Sequence, residues 1–169
     1  MQLGEDTITM SMTLNPVNEA AFQKAVQSLE TLNRAAVFHP TGTGKSCIAW
    51  KVVEAHPQTT FFWLVAGAQR LALRQAELTR YNGGTLPGNV RFCDCEKLAA
   101  ATPEQWVRLG EQKPGCVVLD CYHELSAVCW AQSVQKLLRM CPQAKVLGLG
   151  VPNGAPVCAA AQELFADCI

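Results

Sequence analysis

Hydrophobic and polar positions follow two alternating periods along the chain, and this alternation predicts an α/β fold. Five short, nearly continuous apolar runs are typical of buried parallel strands. Between them, apolar residues recur every three or four positions, as they do in helices that cover a sheet. The predicted strands are 35–38, 59–65, 90–93, 116–120 and 145–149, and the predicted helices are 19–32, 47–54, 67–81, 103–112, 125–140 and 157–167. We therefore expect three layers around a mainly parallel sheet of about five or more strands.

Length and composition place this fold in one globular domain. The chain has 169 residues, of which 49% are hydrophobic and 17% charged, with no net charge. Residues 1–13 lack periodicity and predict a flexible lead, and residues 14–169 predict a single domain. No apolar run reaches the roughly 20 residues of a membrane span, and the polar, acidic start does not resemble a secretory signal. The expected partners exclude a membrane, and the expected compartment is the cytoplasm.

Nine cysteines fit the same compartment. Their number is odd and their spacing irregular, and several lie within apolar runs, which favours reduced thiols packed as small hydrophobic side chains. Cys93 and Cys95 could instead begin a metal site. No second pair has the spacing of zinc ligands, so this alternative is the weaker one.

The clearest candidate for chemistry is a glycine-rich loop between the first strand and the second helix. Its sequence is Pro40-Thr41-Gly42-Thr43-Gly44-Lys45-Ser46. Glycines let the backbone N–H groups approach an anion, the lysine can reach β and γ phosphates, and the serine hydroxyl can bind Mg²⁺. His39 stands where the full motif has glycine or alanine. A glycine turn with a chance lysine is the alternative.

Asp120 is the second candidate because it ends the fourth predicted strand. Carboxyl ends of parallel strands meet at one edge of a sheet, so Asp120 and the loop can converge there. An aspartate in that place is the expected water-mediated partner of Mg²⁺. A helix-capping aspartate is the alternative.

These motifs, in their order, resemble a known family. The loop, then Leu119-Asp120-x-x-His123, then residues 145–149 is similar to the first RecA-like domain of superfamily 2 DEAD/DEAH-type helicases, across residues 14–169. The resemblance implies a P-loop NTPase that binds ATP and Mg²⁺ and couples hydrolysis to movement on DNA or RNA. It implies catalytic roles for Asp120 and His123, and Mg²⁺ binding by Ser46 and Asp120. Asn18 lies where the family has an adenine-reading glutamine, with helix capping as the alternative.

Three departures from the family weaken the implied activity. Cys121 replaces the glutamate that activates water, a loss worth about 10²–10⁴-fold in rate. Gly150-Val151-Pro152 stands where the family has Ser-Ala-Thr, and the second RecA-like domain is not within the 169 residues. We therefore expect an ATP-binding domain with weak or no hydrolysis alone, which uses a second RecA-like domain or a partner protein. The alternative is a catalytically silent module that binds protein or nucleic acid.

The remaining candidates have less specific patterns. Arg70, Arg74 and Arg80 share a predicted helix and could contact nucleic-acid phosphates, although a solvated helix face is the favoured interpretation. The tryptophans predicted to belong to the core rather than to stack on bases are Trp63, Trp106 and Trp130.

Overall fold

The computed structural model describes residues 12–152 and 159–168, which form a five-stranded sheet with helices on both faces. The strands are β1 (Arg34–Phe38), β2 (Phe61–Val65), β3 (Val90–Asp94), β4 (Cys116–Asp120) and β5 (Lys145–Gly150). All paired strands run parallel, in the order β1-β5-β4-β2-β3. This confirms the predicted α/β class and the parallel sheet.

Helices connect successive strands. They are α1 (Pro16–Leu32), α2 (Lys45–Ala55), α3 (Ala68–Tyr81), α4 (Cys95–Ala99), α5 (Pro103–Glu111), α6 (Ala127–Cys129), α7 (Gln135–Met140) and α8 (Ala159–Leu164). A π-helical turn, Trp130–Val134, joins α6 to α7, and short 3₁₀ turns occupy Tyr122–Glu124 and Ala166–Cys168.

The two faces of the sheet bury separate hydrophobic clusters. Along β2, residues Phe61, Trp63 and Val65 join the cluster under α1, α2 and α3, whereas Phe62 and Leu64 join the cluster under α4 to α8. This division follows the two-residue period of a strand covered on both sides. The predicted core positions of Trp63, Trp106 and Trp130 are confirmed.

The strand order positions the candidate site. Since β5 lies between β1 and β4, the P-loop after β1 and Asp120 at the end of β4 are one strand apart at the same edge. A hydrogen bond joins the start of the loop to the sheet: His39 N–H donates to Gly150 O, at the end of β5, at 3.2 Å.

Three local predictions are wrong. Asn18 does not cap α1: the cap is Asn15, whose side chain accepts from Asn18 N–H, since Pro16 already opens the helix. Asp120 is not a helix cap either. In the predicted helix 125–140, the three-to-four-residue period of the apolar positions places Val128 on the inner face, but Val128 is 58% exposed, because the π turn inserts a residue and rotates the faces.

Other features add to the prediction or lie outside it. The short helix α4, capped by Asp94, was not predicted. Residues 1–11, 153–158 and 169, which include most of the predicted lead and the predicted start of the last helix, lie outside the described residues. Among the residues that the structure does describe, no helix is long and apolar enough to cross a lipid bilayer.

Candidate nucleotide-binding site

The glycine loop turns sharply before α2. Gly42 and Gly44 have φ angles of +80° and +93°, in the left-handed region that glycine adopts without strain. Helix α2 then starts at Lys45, and its first backbone hydrogen bond runs from Ile48 N–H to Gly44 O at 3.1 Å. The unpaired N–H groups of the first turn give this end of the helix a partial positive charge, which favours an anion such as phosphate.

Asn18 supports the loop from below. Its amide nitrogen donates to Thr43 O at 2.9 Å, although the two residues belong to α1 and the loop. A Cβ atom at position 44 would lie 2.8 Å from that nitrogen, so both the φ angle and the available space require glycine there. Asn18 is therefore a positioning residue for the P-loop in this structure.

Lys45 closes over the loop. Its ammonium donates to His39 O at 2.8 Å and to Pro40 O at 3.1 Å, and Thr43 Oγ1 donates to Pro40 O at 2.6 Å. No carboxylate in residues 12–152 or 159–168 forms an ion pair with Lys45. Burial, and then the charge of Lys45, lower the pKa of His39, which favours its neutral form. The lysine charge is thus held by neutral carbonyls and stays available to an anion.

Asp120 is enclosed by donors. Only 2% of the residue is exposed. Trp63 Nε1 donates to Oδ2 at 3.0 Å, Arg74 Nε donates to Oδ2 and Arg74 Nη2 donates to Oδ1 at 3.2 Å. A carboxylate offers about four lone-pair positions. Donors of the protein itself therefore occupy three of these positions on Asp120.

Arg74 connects that carboxylate to helix α3. It also pairs with Glu77 one turn along the helix, and only 19% of its side chain is exposed. Burial alone would lower the pKa of Arg74, but Asp120 and Glu77 outweigh it and raise the pKa. The arginine is consequently fixed in its charged form between two carboxylates.

A cavity of about 490 Å³ lies between the loop, α3 and the segment after β4. Lys45, Ser46, Arg74, Glu77 and Cys121 are among the residues that line it, and Asp120 is not. A larger cavity of about 600 Å³ lies between α1 and β1, but neither the loop glycines nor any carboxylate contributes to its lining. The chemistry is therefore concentrated at the smaller cavity.

Cys121 and His123 follow Asp120 in a tight turn. Cys121 has a φ angle of +51°, unusual for a residue with a side chain. Burial, together with the negative charge of Asp120, raises its pKa to about 11, so the thiol stays protonated near neutral pH. His123 Nε2 lies 3.5 Å from Glu124 Oε1, and its buried Nδ1 has no hydrogen-bond partner within residues 12–152 and 159–168. Neither side chain is placed as a ready base.

The described residues fit a phosphate group better than a metal ion. The loop, the start of α2 and Lys45 supply N–H groups and positive charge. Mg²⁺ requires oxygen ligands in octahedral geometry and usually keeps several waters. The predicted oxygens are the Ser46 hydroxyl, which lies 3.5 Å from the Tyr81 hydroxyl, and the buried carboxylate of Asp120, which already accepts three hydrogen bonds from Trp63 and Arg74. These residues do not fit Mg²⁺ held through Asp120, and the metal roles of Ser46 and Asp120 stay predictions.

The structure brings most of the predicted residues to one place, but with different partners. The loop, Asn18, Cys121 and His123 surround the cavity or its walls. Arg70 pairs with Glu124 at the rim, while Arg80 is exposed and lies over the Tyr81 ring. The sequence did not reveal the contact of Arg74 with Asp120: the spacing of Arg74 and Glu77 indicates a pair within the helix and nothing more.

Comparison with known proteins supports the class of fold. No protein-family model matches the sequence, and no curated protein matches it. Among solved structures, the large terminase of bacteriophage HK97 superimposes with a TM-score of 0.61 at 12% sequence identity. The match covers 92% of this chain and 37% of the terminase chain, so this chain spans little more than a third of that protein. At this identity the similarity concerns the fold alone, which is RecA-like.

Proposed function

We propose that this chain is an ATP-binding domain whose P-loop, residues 40–46, holds the phosphates. The observation that carries the proposal is the loop itself: two glycines with positive φ, the start of α2 and a lysine that pairs with no carboxylate of the described residues surround one end of a cavity. The RecA-like fold supports the proposal because such folds bind ligands at the carboxyl ends of their strands.

Hydrolysis by this chain alone is weak in this proposal. The position after Asp120 holds a thiol with a raised pKa instead of a carboxylate, and loss of a positioned base costs about 10²–10⁴-fold in rate. The resemblance to helicase motor domains supports a role linked to DNA or RNA. We propose that this role requires a second RecA-like domain or a partner protein, since the motor function of that family is shared between two domains.

Calorimetric titration with ATP tests the proposal, with Lys45→Ala compared with wild type. Loss of the ammonium removes charge-assisted hydrogen bonds to phosphate, so we expect ATP to bind at least about tenfold more weakly. Lys97→Ala on α4 is the matched control, since this exposed lysine lies outside the cavity lining. Equal affinities in wild type and Lys45→Ala, or no binding at all, would overturn the proposal.

A catalytically silent interaction module is the second candidate. The observation that favours it is that contacts within the chain already engage both motifs. Lys45 donates to loop carbonyls, and Asp120 accepts from Arg74 and Trp63. The same titration separates the candidates, because a silent module that does not use the loop binds no ATP.

A further inference from the structure

Arg74 lies where the charge balance of a P-loop site is usually set by a metal ion. Its guanidinium neutralises Asp120 through two hydrogen bonds and lines the cavity, whereas Asp120 does not reach the cavity lining. Beside the end of β4 the cavity is therefore lined by Arg74 of α3 and its partner Glu77, and not by Asp120.

The guanidinium keeps hydrogen-bonding capacity for a ligand. Arginine has five N–H donors in a planar fork. In the described part of the chain, Nε and Nη2 each use one on Asp120, and Nη1 uses one on Glu77. Two N–H groups remain, and planar N–H pairs suit phosphate oxygens. Lys45 and the N-terminal end of α2 line the same cavity.

We propose that Arg74 takes the electrostatic role of the metal ion, so that this site binds ATP without a divalent cation. The inference rests on the proposed function and specifies its ligand as metal-free nucleotide. The terminal phosphates lie between Lys45 on the loop side and Arg74 on the β4 side. Water-mediated Mg²⁺ binding by Asp120 would require the carboxylate to release Arg74, and would leave the arginine with Glu77 as its only described counter-ion.

The test is a pair of ATP titrations, one with excess Mg²⁺ and one with EDTA, on each variant. In wild type we expect the two affinities to agree within about threefold, a difference smaller than one well-made hydrogen bond supplies. In Arg74→Gln the carboxylate of Asp120 becomes free, so we expect Mg²⁺ to tighten binding by roughly tenfold or more. In the double variant Arg74→Gln/Asp120→Asn, this dependence on Mg²⁺ should disappear.

Arg108→Gln is the matched control, because this arginine is exposed on α5, on the other face of the sheet. It should behave as wild type in both buffers. Thermal melting of each variant shows whether it folds. If Arg74→Gln does not fold, the two ATP titrations of the wild type still decide the proposal.

Each outcome has one meaning. Wild-type binding that is at least about tenfold tighter with Mg²⁺ overturns the role of Arg74 and leaves the proposed function intact. An Arg74→Gln variant that stays indifferent to Mg²⁺ also overturns it. No binding in either buffer overturns both proposals. Equal wild-type affinities that become Mg²⁺-dependent in Arg74→Gln support both.

Discussion

At the scale of single residues, Cys121 shows how a side chain changes what the end of β4 can do. A glutamate there would carry a negative charge beside the cavity. The thiol instead stays neutral near neutral pH, because burial and the neighbouring carboxylate raise its pKa to about 11. The position therefore holds a neutral side chain where a carboxylate could activate water.

The raised pKa predicts slow alkylation of Cys121 in the folded chain. The thiolate is the reactive form, and raising the pKa from an ordinary value near 8.5 to about 11 leaves on the order of one thiol in a thousand ionised at about pH 8. We expect iodoacetamide to modify Cys121 at least about tenfold more slowly in the folded than in the denatured chain. Peptide mapping by mass spectrometry at a series of pH values measures both rates.

The pH dependence is the control for access. A thiol that is only shielded from the reagent reacts slowly, but the pH dependence of its rate has the midpoint of an ordinary thiol pKa. A raised pKa instead makes the folded-state rate climb about tenfold per pH unit to beyond about pH 10. A folded-state rate that levels off near pH 9 would contradict the shift.

At the scale of elements, helix α1 does two separate jobs through two asparagines one turn apart. Asn15 caps the helix, and Asn18 reaches from the same first turn to the carbonyl of Thr43. The first contact stabilises the helix, and the second fixes the P-loop. A pair of variants can therefore separate stability from binding.

Asn18→Ala should weaken ATP binding, since it removes one hydrogen bond that holds the loop. A net contribution of about 0.5–1.5 kcal/mol corresponds to roughly 2- to 10-fold in the dissociation constant. Asn15→Ala should instead cost about 1 kcal/mol of unfolding free energy, with ATP affinity unchanged. Calorimetric titration and urea denaturation of both variants give the comparison. Equal ATP affinities in wild type and Asn18→Ala would refute the support role.

The elements were largely predictable because their cause is local. Strands such as β2 and β4 are buried on both faces, so their continuous apolar runs mark them within one or two residues. The cap of α5 was equally readable, since Thr102 and Gln105 form a capping box around Pro103. The π turn could not be predicted from the sequence, because an inserted residue leaves no recognisable pattern of residue types. It moved Val128 outward.

At the scale of the whole molecule, the last described segment, residues 159–168, covers part of one face of the sheet. Phe165 is buried against the middle of β5, and a Cβ atom at Gly148 would lie 2.5 Å from its ring. Glycine at that point lets the aromatic ring pack directly on the backbone of a central strand. The hydrophobic cluster under α4 to α8 therefore depends on the close contact between Phe165 and Gly148.

Gly148→Ala should lower the unfolding free energy by about 1–3 kcal/mol, because the added methyl displaces a buried ring. Gly88→Ala is the control, since nothing lies near a Cβ there. Urea denaturation of a double-mutant cycle with Phe165→Ala identifies the cause. With the ring gone, Gly148→Ala should cost less than about 0.5 kcal/mol. The same loss in both backgrounds would show that Phe165 is not the obstacle.

The site as a whole was only partly predictable. The P-loop and Asp120 follow from short motifs and from the rule that strand ends converge. The partners of Asp120 do not, since Trp63 and Arg74 are separated from it by 57 and 46 positions, and only the tertiary fold brings them together. Asn18 was found by position in a family pattern, but its contact with the loop depends on how α1 crosses β1.

The enclosed carboxylate of Asp120 also has a consequence for the design of compounds against this protein. Metal-chelating groups, such as hydroxamates and catechols, depend on an ion held between an inhibitor and an acidic side chain. Here the acidic side chain is covered by a guanidinium and an indole, and the cavity that an inhibitor enters is lined by three basic side chains, Lys45, Arg70 and Arg74, beside Glu77 and Glu124. Anionic compounds without a chelating group are the better starting point for chemical probes of this cavity.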